Sequence, residues 1–500
     1  MNIKSLLSTA VLALIATACT NDVNDVMAPE AVQQQGGIHF TATIAPKTFD
    51  ANTRMLTEKT GEDNNAYLEA SWAKDETFVL VYEVDETEQT TVATVTDVAN
   101  DGTATIEAEI VEGVADNTSV TLHYPGDTYS DDIITSQDGK LSNKMDVRTG
   151  TGTIEVTGGV ATLADGATLS AEYAIVKFSL ADLEDNALEV NKLVITTNEG
   201  DTITTIVPEE ANNTLYAALP VNDIETYWFE ATDSDSKPYV QKGSPQVEKG
   251  KFYTPTLKMA TLGDLMGADG KFYVNGEAAV AAETTPIGVI AHLGNDPTTE
   301  DLANGGGHGL LMALKNAGGN LVWTTVARAF ALDETLAVKN TAALKRTTNV
   351  SGYTSTMTLY EKENSDTVYP AAYKAKNYSP AAPESTTGWF LPSAQQWVKM
   401  LTGLGGLDVN IITLTDRLGY FDNESTAATK LDNALKKAGD GNYDSVKEIW
   451  YWYWTSSEYD KTSTVNVVID AEDPTHGIRI GYRAKNTTLT SNKVRAILAF

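Results

Sequence analysis

Cysteine is almost absent: Cys19 is the only one in 500 residues. With no second thiol, no disulfide can form within the chain and no cysteine-pair chemistry is available, so each folded unit needs a core or a neighbour of its own. Cations are also scarce, 36 Lys and Arg against 68 Asp and Glu, for a formal charge of -32. That excludes nucleic acid as a partner, because phosphates are met by clustered Lys and Arg. Arginine is rarest in the first half, where only Arg54 and Arg148 occur. The five histidines (His39, His123, His292, His308, His476) are scattered, without the H-E-x-x-H or i, i+4 spacing of a zinc site. There is no G-x-S-x-G elbow and no P-loop, and no enzyme is expected. Beyond the first twenty residues no apolar run is long enough to span a bilayer as a helix.

What is present begins with a targeting segment. Lys4 precedes an apolar stretch through Leu14–Ile15, followed by Ala16–Thr17–Ala18–Cys19. The run is too short to cross a membrane, and small residues before a cysteine are what a lipoprotein signal peptidase reads. Residues 1–18 are therefore expected to be removed and Cys19 acylated, which accounts for the odd thiol. A polar tether with Gln33–Gln34–Gln35–Gly36–Gly37 follows.

From Ile38 to about residue 260, short runs alternate apolar side chains with Thr, Ser or acidic ones at period two. Ile38–Ile44, Phe78–Glu83, Thr103–Ile110, Ser119–Tyr124, Ala174–Leu180, Leu193–Thr197 and Thr226–Ala231 are examples, separated by turn residues such as Asn100–Asp101–Gly102. The pattern predicts antiparallel sheets with one wet face. After Gly250–Lys251–Phe252–Tyr253 glycine and tryptophan increase and helical signals appear. Ser393 and Gln396 form a capping box, with Trp397, Met400 and Leu401 on one face of the helix they open. A second helix is expected over Ser425–Lys437. The fold class is thus mostly β: two β-sandwiches, at 38–155 and 156–260, then an α+β unit at 261–500.

Few residues carry binding chemistry. Asp440–Gly441–Asn442–Tyr443–Asp444 starts like a calcium loop, but Ser445 stands at the tight-turn glycine and Tyr451 at the bidentate glutamate, so no cofactor is expected. Asn295–Asp296 with Glu300–Asp301 reads as a solvated acidic turn, and His308, after Gly305–Gly306–Gly307, as a satisfied loop histidine. In Trp450–Tyr451–Trp452–Tyr453–Trp454, strand period puts the tryptophans on one face and the tyrosines on the other. Either both faces are buried, or one presents rings to a ligand; Tyr451, Trp452 and Tyr453 are the candidates.

The markers Ile38–His39–Phe40–Thr41–Ala42, Thr53–Arg54, Trp72–Ala73–Lys74–Asp75, His123–Tyr124–Pro125, Ala174–Ile175–Val176–Lys177–Phe178 and Leu215–Tyr216–Ala217–Ala218–Leu219–Pro220 occur in that order. Through them the first half resembles the fimbrillin family of lipoprotein pilins. The resemblance implies two transthyretin-like sandwiches and a first strand removed by cleavage between Arg54 and Met55, discarding 19–54, the lipidated tether and that strand. The next subunit's strand would then fill the groove, which is β-strand addition. Gly388–Trp389–Phe390–Leu391–Pro392–Ser393, Tyr453–Trp454–Thr455–Ser456–Ser457–Glu458–Tyr459 and Val494–Phe500 make the last unit resemble the C-type-lectin-like "major paralogous" domains, with Phe390 where that family has arginine.

Together these readings lead to a fimbrial subunit, expected at a pilus tip because its last strand belongs to the lectin-like unit and is not free to donate. Its partners would be neighbouring fimbrial subunits and a host or bacterial glycan or protein. It would reach the cell surface as an outer-membrane lipoprotein precursor. The competing expectation is a surface lipoprotein that keeps its lipid and does not polymerise.

Overall fold

The computed structural model describes residues 37–47, 57–60, 66–126, 132–197, 200–221, 226–244, 246–294, 307–326, 329–347, 351–414, 425–447, 451–469, 477–488 and 492–500. The chain is mostly β. Cys19, Arg54, Met55, Trp450 and the 295–301 acidic cluster lie outside the described residues.

The first unit is a sheet that closes on itself. Strand Gly37–Ile44 pairs antiparallel with Ala104–Val111, and the sheet continues through Thr87–Val98, Thr77–Val84, Thr118–Tyr124 and Arg148–Thr157. Arg148–Thr157 turns at Gly158–Gly159 (φ 62° and 85°) into Val160–Leu163, which returns parallel to Gly37–Ile44. Two glycines with positive φ suit so tight a hairpin, since a side chain there would be strained. The inward faces supply one core, including Phe40, Phe78, Leu80, Ile106, Val120 and Ile154, all fully buried. This sheet runs past residue 155, as Val160–Leu163 and Ser170–Ala171 still pair with Arg148–Thr157. Alternation alone did not reveal that these short segments close the first sheet.

The second unit is a nine-stranded sheet folded over a core of Phe178, Leu193, Ile195, Phe229 and Met259. It also takes a strand from within the first unit's sequence. Ser136–Gln137 pairs with Thr202–Ile206, and the Gln137 amide bonds Thr204 and both backbone groups of Ala218 at 2.8–3.0 Å. The hairpin Thr57–Thr60 with Ala66–Glu69 lies here too, where Glu58 accepts hydrogen bonds from Lys177 (2.6 Å) and from Tyr216.

In the third unit, two five-stranded sheets are packed with helices. The expected capping box forms at Ser393 and Gln396, opening helix Ala394–Gly403, and the later helix spans Ser425–Lys436. Successive residues of Pro286–Leu293, Gly309–Ala313 and Ile497–Ala499 enter different cores. Val289, Met312 and Ile497 face one; Ile290, Leu311 and Leu498 face the other. The second core also contains Trp228, Val240 and Ala260 of the second unit, so those two units share an apolar interior. Phe390, in place of arginine, is fully buried and meets Tyr353 edge-on at 5.8 Å.

Candidate functional site

The first strand is a site because of where it sits. Its burial alternates, with Phe40, Ala42 and Ile44 pointing into the barrel and Gly37, His39 and Thr43 exposed. On one side it pairs with Ala104–Val111 over its whole length; on the other it pairs parallel with Val160–Leu163 at His39, Phe40 and Thr41. Its chain connection to the rest of the barrel runs through residues 45–76, out to the hairpin on the second unit and back. Withdrawing this strand would open a groove lined by Ile106, Ile110 and Ala161, with two unpaired edges. Burying Phe40 and Ile44 contributes about 3–6 kcal/mol together.

A buried charged box holds the segment just beyond that strand. The Lys47 side chain is 2% exposed, with Nζ 3.4 Å from Glu76 Oε1 and 3.3 Å from Asp146 Oδ2. It lies over the Trp72 ring at 4.3 Å and the Tyr124 ring at 3.9 Å, and those rings meet edge-on at 5.1 Å. Arg148 Nε donates to Asp146 at 2.6 Å, and the Tyr124 hydroxyl donates to Glu76 at 2.7 Å. Trp72 Nε1 donates to the Ala45 carbonyl at 2.8 Å, and Ala45 N donates to Ala167 O at 2.8 Å. Burial lowers the Lys47 pKa, partly offset by the Asp146 and Glu76 carboxylates. Burial, reinforced by Glu76, raises that of Tyr124. Sequence reading missed this box; its available signal was Arg148, one of only two arginines in the first half.

The aromatic strand is only partly a surface. Tyr453 is fully buried in one core, against Trp397 at 5.3 Å. It is therefore not a ligand-facing ring: this part of Tyr451–Glu458 is covered on both faces, and Trp454 fills the opposite core while donating to Leu321 O at 2.8 Å. Tyr451 and Trp452 are half-buried. Lys493 lies over Tyr451 at 4.5 Å, and the Arg479 and Arg483 guanidinium carbons lie 4.8 and 4.0 Å from the Trp452 ring centre. Three cations thus gather on the two rings, and residues 477–500 hold no Asp or Glu.

Other singled-out residues serve packing. Asp444 accepts from Asn316 N at 2.8 Å, and its carbonyl accepts from Arg495 at 2.9 Å. Among the described residues no three His, Cys, Asp or Glu side chains converge as a metal site. His308 is 5% exposed, stacked on Trp228 at 4.1 Å and hydrogen-bonded through Nδ1 to Glu230 at 2.8 Å, joining the third unit to the second.

No protein-family profile matches the chain, and no curated protein matches it. Among solved structures, a fimbrial protein from Bacteroides ovatus aligns over 93% of this chain and 100% of its own, at 15% identity and a TM-score of 0.34. A fimbrial assembly protein from Parabacteroides distasonis covers 44% of this chain and 90% of its own, at 10% identity and a TM-score of 0.26. Superpositions this loose assign neither a family nor a function.

Proposed function

We propose that this protein is a subunit of a surface fibre, exported as a lipoprotein through Cys19 and matured by cleavage between Arg54 and Met55. Cleavage releases the tether and strand Gly37–Ile44, and a strand from a neighbouring subunit takes the vacated place between Ala104–Val111 and Val160–Leu163. The observation that carries this reading is the seat of that strand, hydrogen-bonded on both sides yet joined to the barrel's other strands only by way of the second unit. The described residues flanking Arg54 belong to different units: Lys47 to the barrel, Glu58 to the sheet of Lys177. A cut there falls between two anchors and leaves Phe40, Ala42 and Ile44 held in the barrel core by packing and strand pairing alone.

Strand Ile497–Ala499 is held too firmly to serve as a donor. Ile497–Ala499 is fully buried, Phe390 and Ile497 exchange backbone hydrogen bonds, and the Phe500 carbonyl accepts from His308 N at 2.7 Å. Donating that strand would dismantle two cores, so the subunit accepts a strand and offers none from this unit. The lectin-like unit then binds a glycan or protein, with Tyr451 and Trp452 at its rim; the role is adhesive and not enzymatic.

The test is the N-terminus of material sheared from cells, read by Edman degradation or mass spectrometry. A start at Met55 supports the fibre subunit. An acylated Cys19 on protein that stays with the membrane overturns it in favour of a retained surface lipoprotein.

A further inference from the structure

Resting on that reading, we propose that the box around Lys47 selects the strand that replaces Gly37–Ile44. It accepts a segment with apolar side chains at three alternating positions and a lysine seven residues beyond the first, as in Phe40, Ala42, Ile44 and Lys47.

Charge balance carries the argument. The box holds two cations, Lys47 and Arg148, and two carboxylates, Glu76 and Asp146. Lys47 departs with the first strand, while the other three remain with the barrel. What stays is one buried negative charge in excess, because Asp146 and Arg148 are each 1% exposed and the Glu76 side chain is 12% exposed. Two aromatic faces wall the space, and ring faces attract cations. Their centres lie 4.3 and 3.9 Å from Nζ, which suits a compact ammonium better than the broad fork of an arginine. A neutral side chain would leave the excess charge without a cation, with only the Tyr124 hydroxyl and Ala73 N donating to Glu76.

The spacing is set by backbone contacts as well as by the box. Trp72 Nε1 on the Ala45 carbonyl and Ala45 N on Ala167 O fix the path between strand and lysine. An incoming strand on the same path presents its lysine at the same interval. The apolar groove alone would admit many alternating strands; the box distinguishes among them.

The test nicks the full chain after Arg54 with an arginine-specific protease, the cut site being confirmed by mass. Release of the 19–54 fragment is then followed for the wild type and for Lys47→Met. Release is expected at least about tenfold faster in the variant, as loss of a buried ionic partner implies. A synthetic peptide of residues 36–53 is added to the fragment-free protein, beside Lys47→Met, Lys47→Arg and Phe40→Asp versions. The native peptide is expected to bind, Lys47→Met at least about a hundredfold more weakly, and Lys47→Arg in between. Native and Lys47→Met peptides binding within about threefold of each other, with unchanged release, would overturn the selection by the box. Strand addition would survive that result provided Phe40→Asp fails to bind. If the native peptide does not bind a trimmed protein of native circular dichroism, both readings fall.

Discussion

Lys47 and Lys485 are the two buried lysines among the described residues, and their partners come from different places. Lys485 pairs with Glu458 inside the third unit, where Glu458 also accepts from Ala331 N and Leu332 N, and Lys485 donates to the carbonyls of Ala329 and Lys461. All of those groups belong to one packed region, so the pair locks that region on itself. Lys47 is enclosed as tightly, but it stands on the chain that carries the first strand, and its carboxylates stand on the barrel. The same contrast holds for the strands nearby. Gly37–Ile44 buries one face, whereas Ile497–Ala499 buries both. A one-faced strand can be exchanged for another of like pattern; a two-faced one is part of two cores.

Substitutions can break this comparison. The largest effect is expected from Lys485→Met, which leaves Glu458 buried without its cation and destabilises the third unit by about 3–5 kcal/mol in denaturant unfolding. A loss below about 1 kcal/mol would mean that Lys485 is no lock. Phe40→Ala should cost the uncut chain about 3–5 kcal/mol as well, the barrel unfolding separately and earlier by tryptophan fluorescence at Trp72. Unfolding in one step with the other units would show that the barrel is not an independent acceptor. Tyr453→Ala is expected to cost about 3 kcal/mol or more, with Trp452→Ala costing less because that ring is half-buried. Equal losses would place both rings in the core and remove Trp452 as a rim residue.

The smallest expected effect concerns pH. Burial opposes ionisation of Glu58, but hydrogen bonds from Lys177 and Tyr216 outweigh it and hold its pKa below the usual glutamate value. A carboxylate with a depressed folded pKa contributes stability that is full above its unfolded value and is lost as pH falls through the folded one. Hydrogen-exchange protection factors in strands Thr57–Thr60 and Ala66–Glu69, corrected for the intrinsic pH dependence of exchange, should therefore fall in acid, and Glu58→Gln should remove most of that dependence. An unchanged acid limb in the variant would free the hairpin from this anchor.

Much of the β class was legible because burial of one face imposes period two, as in Phe40, Ala42 and Ile44. The helix at Ser393 was legible because its cap is local chemistry, three residues apart. Tyr453 was misplaced because two-sided burial leaves no alternation to read: its strand, Tyr451–Glu458, is buried at every position from Tyr453 on. The Lys47 box escaped because its charged members, at 47, 76, 146 and 148, are not neighbours in any short window.

The sequence by itself determined the local matters: the near-absence of thiols, the acidic composition, the strand period, the caps and the polar stretch around Arg54. These follow from composition and from contacts within a few residues. Only the tertiary structure decided that the first strand closes a barrel from both sides, that Lys47 completes a distant ionic box, and that the last strand is shared by two cores. Each depends on segments far apart in the chain meeting in space, where burial turns an ordinary lysine or phenylalanine into an anchor.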